Sequence, residues 1–160
     1  MYISHAPDGY VCPICLGVKG IESDDTHLRQ DDLVFRDDLV SVWINSFWIG
    51  RNEGHLIIVP NSHFENVYEL PNDVGHRIFD ISKMMSMALR EAYKCDGVTI
   101  RQNNEPAGDQ HAFHYHLHLF PRYENDKFNQ KLAEKSRLSD PAERKIYADK
   151  VRKFLHAKNM

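Results

Sequence analysis

Three histidines at alternate positions, His114, His116 and His118, lie in the segment Gly108-Asp-Gln-His-Ala-Phe-His114-Tyr-His116-Leu-His118-Leu-Phe-Pro121-Arg122. In a strand, successive side chains point to opposite faces, so these imidazoles line one face with neighbours ~6.6 Å apart. Tyr115, Leu117 and Leu119 then point the other way, into apolar packing. Ten histidines are many for 160 residues, and four of them fall between His111 and His118. Three readings compete for such a face. A solvated surface that happens to be histidine-rich is the plainest, but strand faces are rarely built from one titratable residue type. Imidazoles at i and i+2 can instead share a metal ion. Alternatively, one imidazole attacks an electrophile such as phosphorus while a neighbour handles the proton. A metallohydrolase with its ion on the three histidines lacks a nearby Asp or Glu as base and leaves the cysteines unexplained.

Those cysteines form the second chemical feature. Cys12-Pro-Ile-Cys15 is a C-x-x-C, and Cys95 stands alone. Alone, a C-x-x-C is weak evidence for a metal. Three cysteines do not make a disulfide framework, however, and a metal knuckle in a reducing cytosol fits the pattern better. Cys95, at the end of an expected helix, reads as a core residue.

The elements that must position these groups follow from periodicity. Leu33 to Arg36 and Val40 to Ile44 read as short strands. His55-Leu-Ile-Ile-Val59 is a continuous apolar run, introduced by Gly54 and stopped by Pro60, as expected for a buried central strand. From Asp73 to Lys94 the period becomes helical: Val74, Ile78, Ile81, Met85, Ala88, Leu89 and Ala92 form one stripe, with Asn72 as the expected cap. Asp96-Gly97 turns the chain into a strand, Val98 to Ile100. Turn chemistry from Asn103 to Gly108 leads into the histidine strand, from about Ala112 to Phe120. A last helix opens on Asp140 as N-cap, Pro141 and Glu143, with an expected buried stripe of Ala142, Ile146, Val151, Phe154 and Leu155. Short turns between strands and two added helices imply an α+β fold with a largely antiparallel sheet.

Size and composition suit one domain over residues 1–160, with a knuckle and loop over 1–32, a core over 33–122 and a C-terminal extension over 123–160. Apolar residues make up 42% of the chain, enough for a real core, while a net charge of −3 gives no electrostatic support for nucleic-acid binding. No apolar run approaches the ~20 residues that span a bilayer, and the N-terminus lacks the basic and apolar regions of a signal peptide, so a cytoplasmic protein is expected.

The histidine segment resembles the signature of the histidine triad (HIT) family, in which a Gln precedes an H-x-H-x-H strand closed by Pro-Arg. Gly54-His55-Leu-Ile-Ile-Val-Pro60, followed by His63, resembles the family's upstream landmark, and the resemblance runs from about Cys12 to Arg122. It implies a HIT-like sheet of about five strands with a long helix packed on it and the C-terminal helix appended. It further implies a nucleotide hydrolase acting on a dinucleoside polyphosphate or nucleoside phosphoramidate, with a purine nucleotide or dinucleotide as substrate. His116 would attack the α-phosphorus to give a nucleotidyl–histidine intermediate. His118 would stabilise the phosphate or protonate the leaving group, with His55 hydrogen-bonded behind it. Gln110 and Asn103 would bind phosphate, with His111 a further phosphate contact. The family's ribose-binding position falls near Asn45, although the loop from Asn45 to Gly54 is longer than usual and Asn45 reads equally well as a turn residue. Trp43 is either a wall of the base pocket or a core residue, the second being the safer reading.

Two positions depart from the family. His111 stands where Ser or Thr is common. Asp109 stands where Gly is common, and a carboxylate there opposes a polyphosphate tail unless it points away. Zinc-bearing relatives use a C-x-x-C, a histidine after the VP strand and the first triad histidine, which implies a structural zinc on Cys12, Cys15, His63 and His114. His27 competes with His63 for that role, and His5 is a weaker competitor. A homodimer through the long helix and an adjoining strand is also implied. A nucleotide-binding regulatory module with negligible turnover, and a nucleotidyl transferase or phosphorylase, are the alternatives.

Overall fold

The structure, a computed structural model, describes residues 4–131 and 136–160. Residues 1–3 of the expected N-terminal segment and 132–135 of the C-terminal extension lie outside the described residues. The elements in chain order are α1 (Pro13–Val18), β1 (Leu33–Arg36), β2 (Val40–Ile44), β3 (Phe47–Trp48), β4 (Leu56–Pro60), α2 (Asn72–Tyr93), β5 (Gly97–Gln102), β6 (Leu117–Arg122), α3 (Phe128–Lys131), β7 (Arg137–Leu138) and α4 (Pro141–Ala157). Five strands make one sheet in the order β1-β2-β4-β6-β5, and every neighbouring pair is antiparallel.

The two central strands, β2 and β4, are buried along their whole length because both faces of the sheet are covered. On one face Val42, Ile44, Leu56, Ile58 and Leu119 pack with Ile78, Ile81, Met85 and Leu89 of α2 and with Ala148, Val151 and Leu155 of α4. On the other, Trp43, Ile57 and Val59 meet Ile14 of α1 and Leu28. Trp43 is therefore a core residue and no wall of a pocket. Gly54, which introduces β4, adopts φ +73°, and a β-carbon there would collide with the ring of Tyr147 on α4, so only glycine fits.

Three expectations need correcting. The histidine strand is shorter than its pattern: β6 pairs with β4 and β5 only from Leu117 onward. Before it the chain leaves the sheet and is tied by the Tyr115 amide donating to the Phe64 carbonyl at 2.6 Å. The alternation nevertheless persists, since Tyr115, Leu117 and Leu119 all join the α2 side of the core. The cap of α2 is Pro71, and Asn72 is its first residue, with no side-chain capping bond. In α4 the capping box of Asp140 and Glu143 forms, but the buried stripe is Arg144, Ala148, Val151 and Leu155, while Ala142 and Ile146 face solvent. The cause is an ion pair that periodicity cannot anticipate: Arg144 Nε donates at 2.9 Å to both carboxylate oxygens of Asp32, and both side chains are buried. A second, two-stranded sheet of β3 with β7 involves elements too short for any periodic signal.

Candidate active site and metal cluster

On the sheet face opposite α2 lies a cleft of about 1250 Å³, lined by His55, His116, His118, His111, Asn45, Asn103 and Arg101 among others. Ladder register builds its floor. Ile57 pairs with His118 and His118 with Arg101, so β4, β6 and β5 present these three side chains as one row.

His116 is only 8% exposed. Its Nδ1 lies 2.7 Å from the carbonyl oxygen of His114, an acceptor, so Nδ1 carries the proton and Nε2 keeps its lone pair. Burial lowers its pKa, which favours that neutral form. The ring of His118 stands edge-on at 4.8 Å. Its Nδ1 has no hydrogen-bond partner among the described residues. Burial first, then the neighbouring imidazoles and Arg101, push His118 well below the ordinary imidazole range. His55 sits behind it at 5.5 Å, with Phe120 packed on its ring at 4.3 Å. Its Nε2 accepts from Asn45 Nδ2 at 2.6 Å, and burial lowers its pKa to about 3. The expected bond between His55 and His118 is thus replaced by one to Asn45. Asn45 also holds a turn, its Nδ2 donating to the Phe47 carbonyl and its own carbonyl accepting from Trp48 Nε1. Asn45 is therefore a turn residue whose side chain also lines the cleft.

The loop between β5 and the histidines is built on unusual backbone. Glu105 takes φ 62° and ψ 162°, a region close to glycine-only, and Asp109 is left-handed at φ 65°. Side chains fix the loop. Asn103 Nδ2 donates to the Asp109 carbonyl at 3.0 Å. Gln110 is buried and does not line the cleft: its amide nitrogen donates to the Glu65 and Ala112 carbonyls, and its oxygen accepts from the Glu105 amide. Gln110 thus holds the loop through its side-chain amide. His111 is exposed at the rim.

Beside the cleft, one ligand atom from each of Cys12, Cys15, His63 and His114 falls within 4.8 Å of the others. His114 Nδ1 lies 3.4 Å from both sulfurs, and His63 Nδ1 lies 3.3 Å from Cys15 Sγ. Tetrahedral bonds of ~2.3 Å to sulfur and ~2.0 Å to nitrogen separate adjacent ligand atoms by ~3.5 Å, so the set fits a zinc-sized ion. His114 Nε2 donates to the Pro60 carbonyl at 3.0 Å, which turns Nδ1 toward the thiols. His27 does not join: it packs edge-on against Phe47 at 5.2 Å and lines the cleft. The amide of His5 donates to Glu65, outside the cluster.

Sequence reasoning missed Arg101 and the cleft residues Asn129 and Ser136 contributed by the C-terminal extension. Arg101 carries a signal only once the β5–β6 register is known. Asn129 and Ser136 carry none, since they reach the cleft through segments without periodicity.

The sequence matches the HIT domain family over residues 28–125, and the chain belongs to that family. Among curated relatives, the protein named Protein hit of Bacillus subtilis is 30% identical over 90 residues, covering 56% of this chain and 61% of its own. The adenylylsulfatase HINT3 of Arabidopsis thaliana is 30% identical over 115 residues, covering 72% and 54%. The chain therefore spans about three fifths or less of the length of these two relatives. The fold is shared with a zinc-bound histidine triad protein of Mycobacterium smegmatis, at TM-score 0.73, 23% identity and coverage of 92% and 95%. It is also shared with the diadenosine triphosphate hydrolase of Plasmodium falciparum, at TM-score 0.71, 13% identity and coverage of 99% and 92%.

Proposed function

We propose that this protein is a nucleotide hydrolase that cleaves at the α-phosphorus through a nucleotidyl–His116 intermediate. One observation carries the reading: the Nδ1–H of His116 is tied to the His114 carbonyl, which leaves its Nε2 lone pair free in a cleft lined with hydrogen-bond donors. Attack by Nε2 forms a P–N bond as the bond from phosphorus to the leaving group breaks, the electron pair departing with the leaving group. Water then attacks phosphorus, the P–N pair returns to the imidazole, and a proton is released. His118 stands beside the reacting centre to donate a hydrogen bond to the equatorial phosphate oxygens. His55 and Asn45 fix its surroundings, Asn45 also facing the ribose. Asn103 and His111 reach the phosphates from the loop. Gln110 acts through that loop as a positioning residue. The nucleotide-directed activities of the Arabidopsis and Plasmodium proteins support the class of reaction.

Rapid quenching with a nucleotide labelled in its α-phosphate tests this. Wild type should yield a covalent adduct, and His116→Asn should yield none and lose turnover by ~10⁴-fold or more. Unchanged turnover in His116→Asn overturns the mechanism. Nucleotide binding without an adduct or turnover in the wild type favours a regulatory binding module.

Cys12, Cys15, His63 and His114 would hold a structural zinc. All four positions are filled by protein, as a closed site requires, and the zinc-bound Mycobacterium neighbour supports the choice of metal. Thiolate ligands suit the reducing cytoplasm. Exposed Phe79 on α2 and exposed Ile100 on the edge strand β5 support a homodimer through these two elements.

A further inference from the structure

We infer that Arg101 binds the leaving group, and that it selects nucleotides whose α-phosphate is joined to an anionic group, phosphate or sulfate, over those joined to an amine. This rests on the hydrolase reading above and names its substrate class. The register pairs Arg101 with His118 across β5 and β6, which sets their β-carbons ~4.5–5.5 Å apart on the cleft face. The guanidinium is already aimed. Nε donates to Asn103 Oδ1 at 2.9 Å, and Nη2 donates to Asp109 Oδ2 at 2.9 Å. The other donors of the fork have no protein partner among the described residues.

The two restraints on Arg101 differ in kind. Asn103 is itself anchored to the loop through the Asp109 carbonyl, so it holds the Nε edge in place. Asp109 is different, because its side chain is 72% exposed against 30% for Arg101. A pair so open to water is weak, so an incoming anion can take the place of the carboxylate. A guanidinium fork offers phosphate and sulfate oxygens two parallel donors, which is the geometry that rewards this exchange. Asp109 thus shields Arg101 while the cleft is empty and swings out when an anion arrives.

The chemistry at the leaving atom separates the two substrate classes. When a P–O bond to phosphate or sulfate breaks, the electron pair settles on an oxygen whose charge is spread over its own group, and a fixed cation lowers that barrier without a proton. When a P–N bond breaks, the nitrogen leaves well only if it is protonated. A cation next to it helps little, and His118, paired with Arg101 across the ladder, is disfavoured as a proton carrier by its burial.

The test compares kcat/KM of the full-length protein on adenosine 5′-phosphosulfate and diadenosine triphosphate with that on adenosine 5′-phosphoramidate. Arg101→Gln should lower the first two by ~30–100-fold and the third by no more than ~3-fold, with Arg101→Lys recovering part of the loss. Inorganic sulfate, as a competitive inhibitor, should bind more weakly to Arg101→Gln and more tightly to Asp109→Asn. A purely structural arginine would not reverse that order. Equal losses on all three substrates, or unchanged sulfate inhibition in both variants, overturn the assignment while leaving the hydrolase reading intact. Absence of wild-type turnover on all three overturns the hydrolase reading, and this inference with it.

Discussion

At the scale of single residues, the site depends on imidazoles kept neutral. His55 shows this most clearly: it is fully buried, with Phe120 packed on its ring. Burial lowers its pKa from 6.5 to about 3. The sign of the effect on stability follows by linkage. Between those values the unfolded chain takes up a proton that the folded chain refuses, so stability falls as pH falls through that window. At pH 5 this one residue should cost about 2 kcal/mol relative to pH 7.5. Urea unfolding of wild type and His55→Asn at both pH values checks it: the variant should lose less stability on acidification by that amount. Equal losses would mean that His55 is protonated without penalty. The histidines were legible in the sequence because their spacing alone puts them on one face. The roles of Gln110 and Arg101 were not, because each depends on a partner distant in the chain, the Glu65 carbonyl for one and the ladder position opposite His118 for the other.

At the scale of elements, two attachments fix the site's surroundings. The cysteine knuckle ties α1 to the end of β4 and to the histidine segment, all through four side chains. Cys12→Ser should therefore lose zinc by elemental analysis, and because bound zinc contributes directly to folding, its melting temperature should fall. Full retention of metal in that variant would place the ion elsewhere, on the triad itself. The second attachment is Arg144, which carries α4 onto Asp32 and also donates to the Ser139 and His27 carbonyls. Arg144→Met strands a buried carboxylate and should destabilise the fold by ~3–5 kcal/mol, read as a shift in the urea midpoint. A loss below ~1 kcal/mol would show the pair to be dispensable. The limits of β1 and β2 and the capping box of α4 were readable because each is a local pattern. The buried face of α4 was not, because a core arginine reads as a solvent residue until its partner, 112 positions away, is known.

At the scale of the whole molecule, the two faces of the sheet divide the work: α2 and α4 close one side, and the cleft and metal cluster occupy the other. This leaves the outer edge of β5, where no further strand pairs among the described residues. Edge strands in natural proteins are generally covered or charged, yet β5 presents Ile100 at 48% exposure, and α2 adds an exposed Phe79. Apolar side chains left open beside an unpaired edge mark a contact surface. A second copy of this chain can pair the same edge with itself about a two-fold axis, which the antiparallel meeting of two identical strands provides. An interface of ~1,200–2,000 Å² would suffice to make that pairing stable. Sedimentation equilibrium should therefore return twice the monomer mass for the wild type. Ile100→Lys combined with Phe79→Lys should return the monomer, because like charges would be brought together and desolvated across the axis. Melting temperature should rise with protein concentration in the wild type and be flat in the double variant, as mass action requires. A wild-type monomer at tens of micromolar would overturn the dimer.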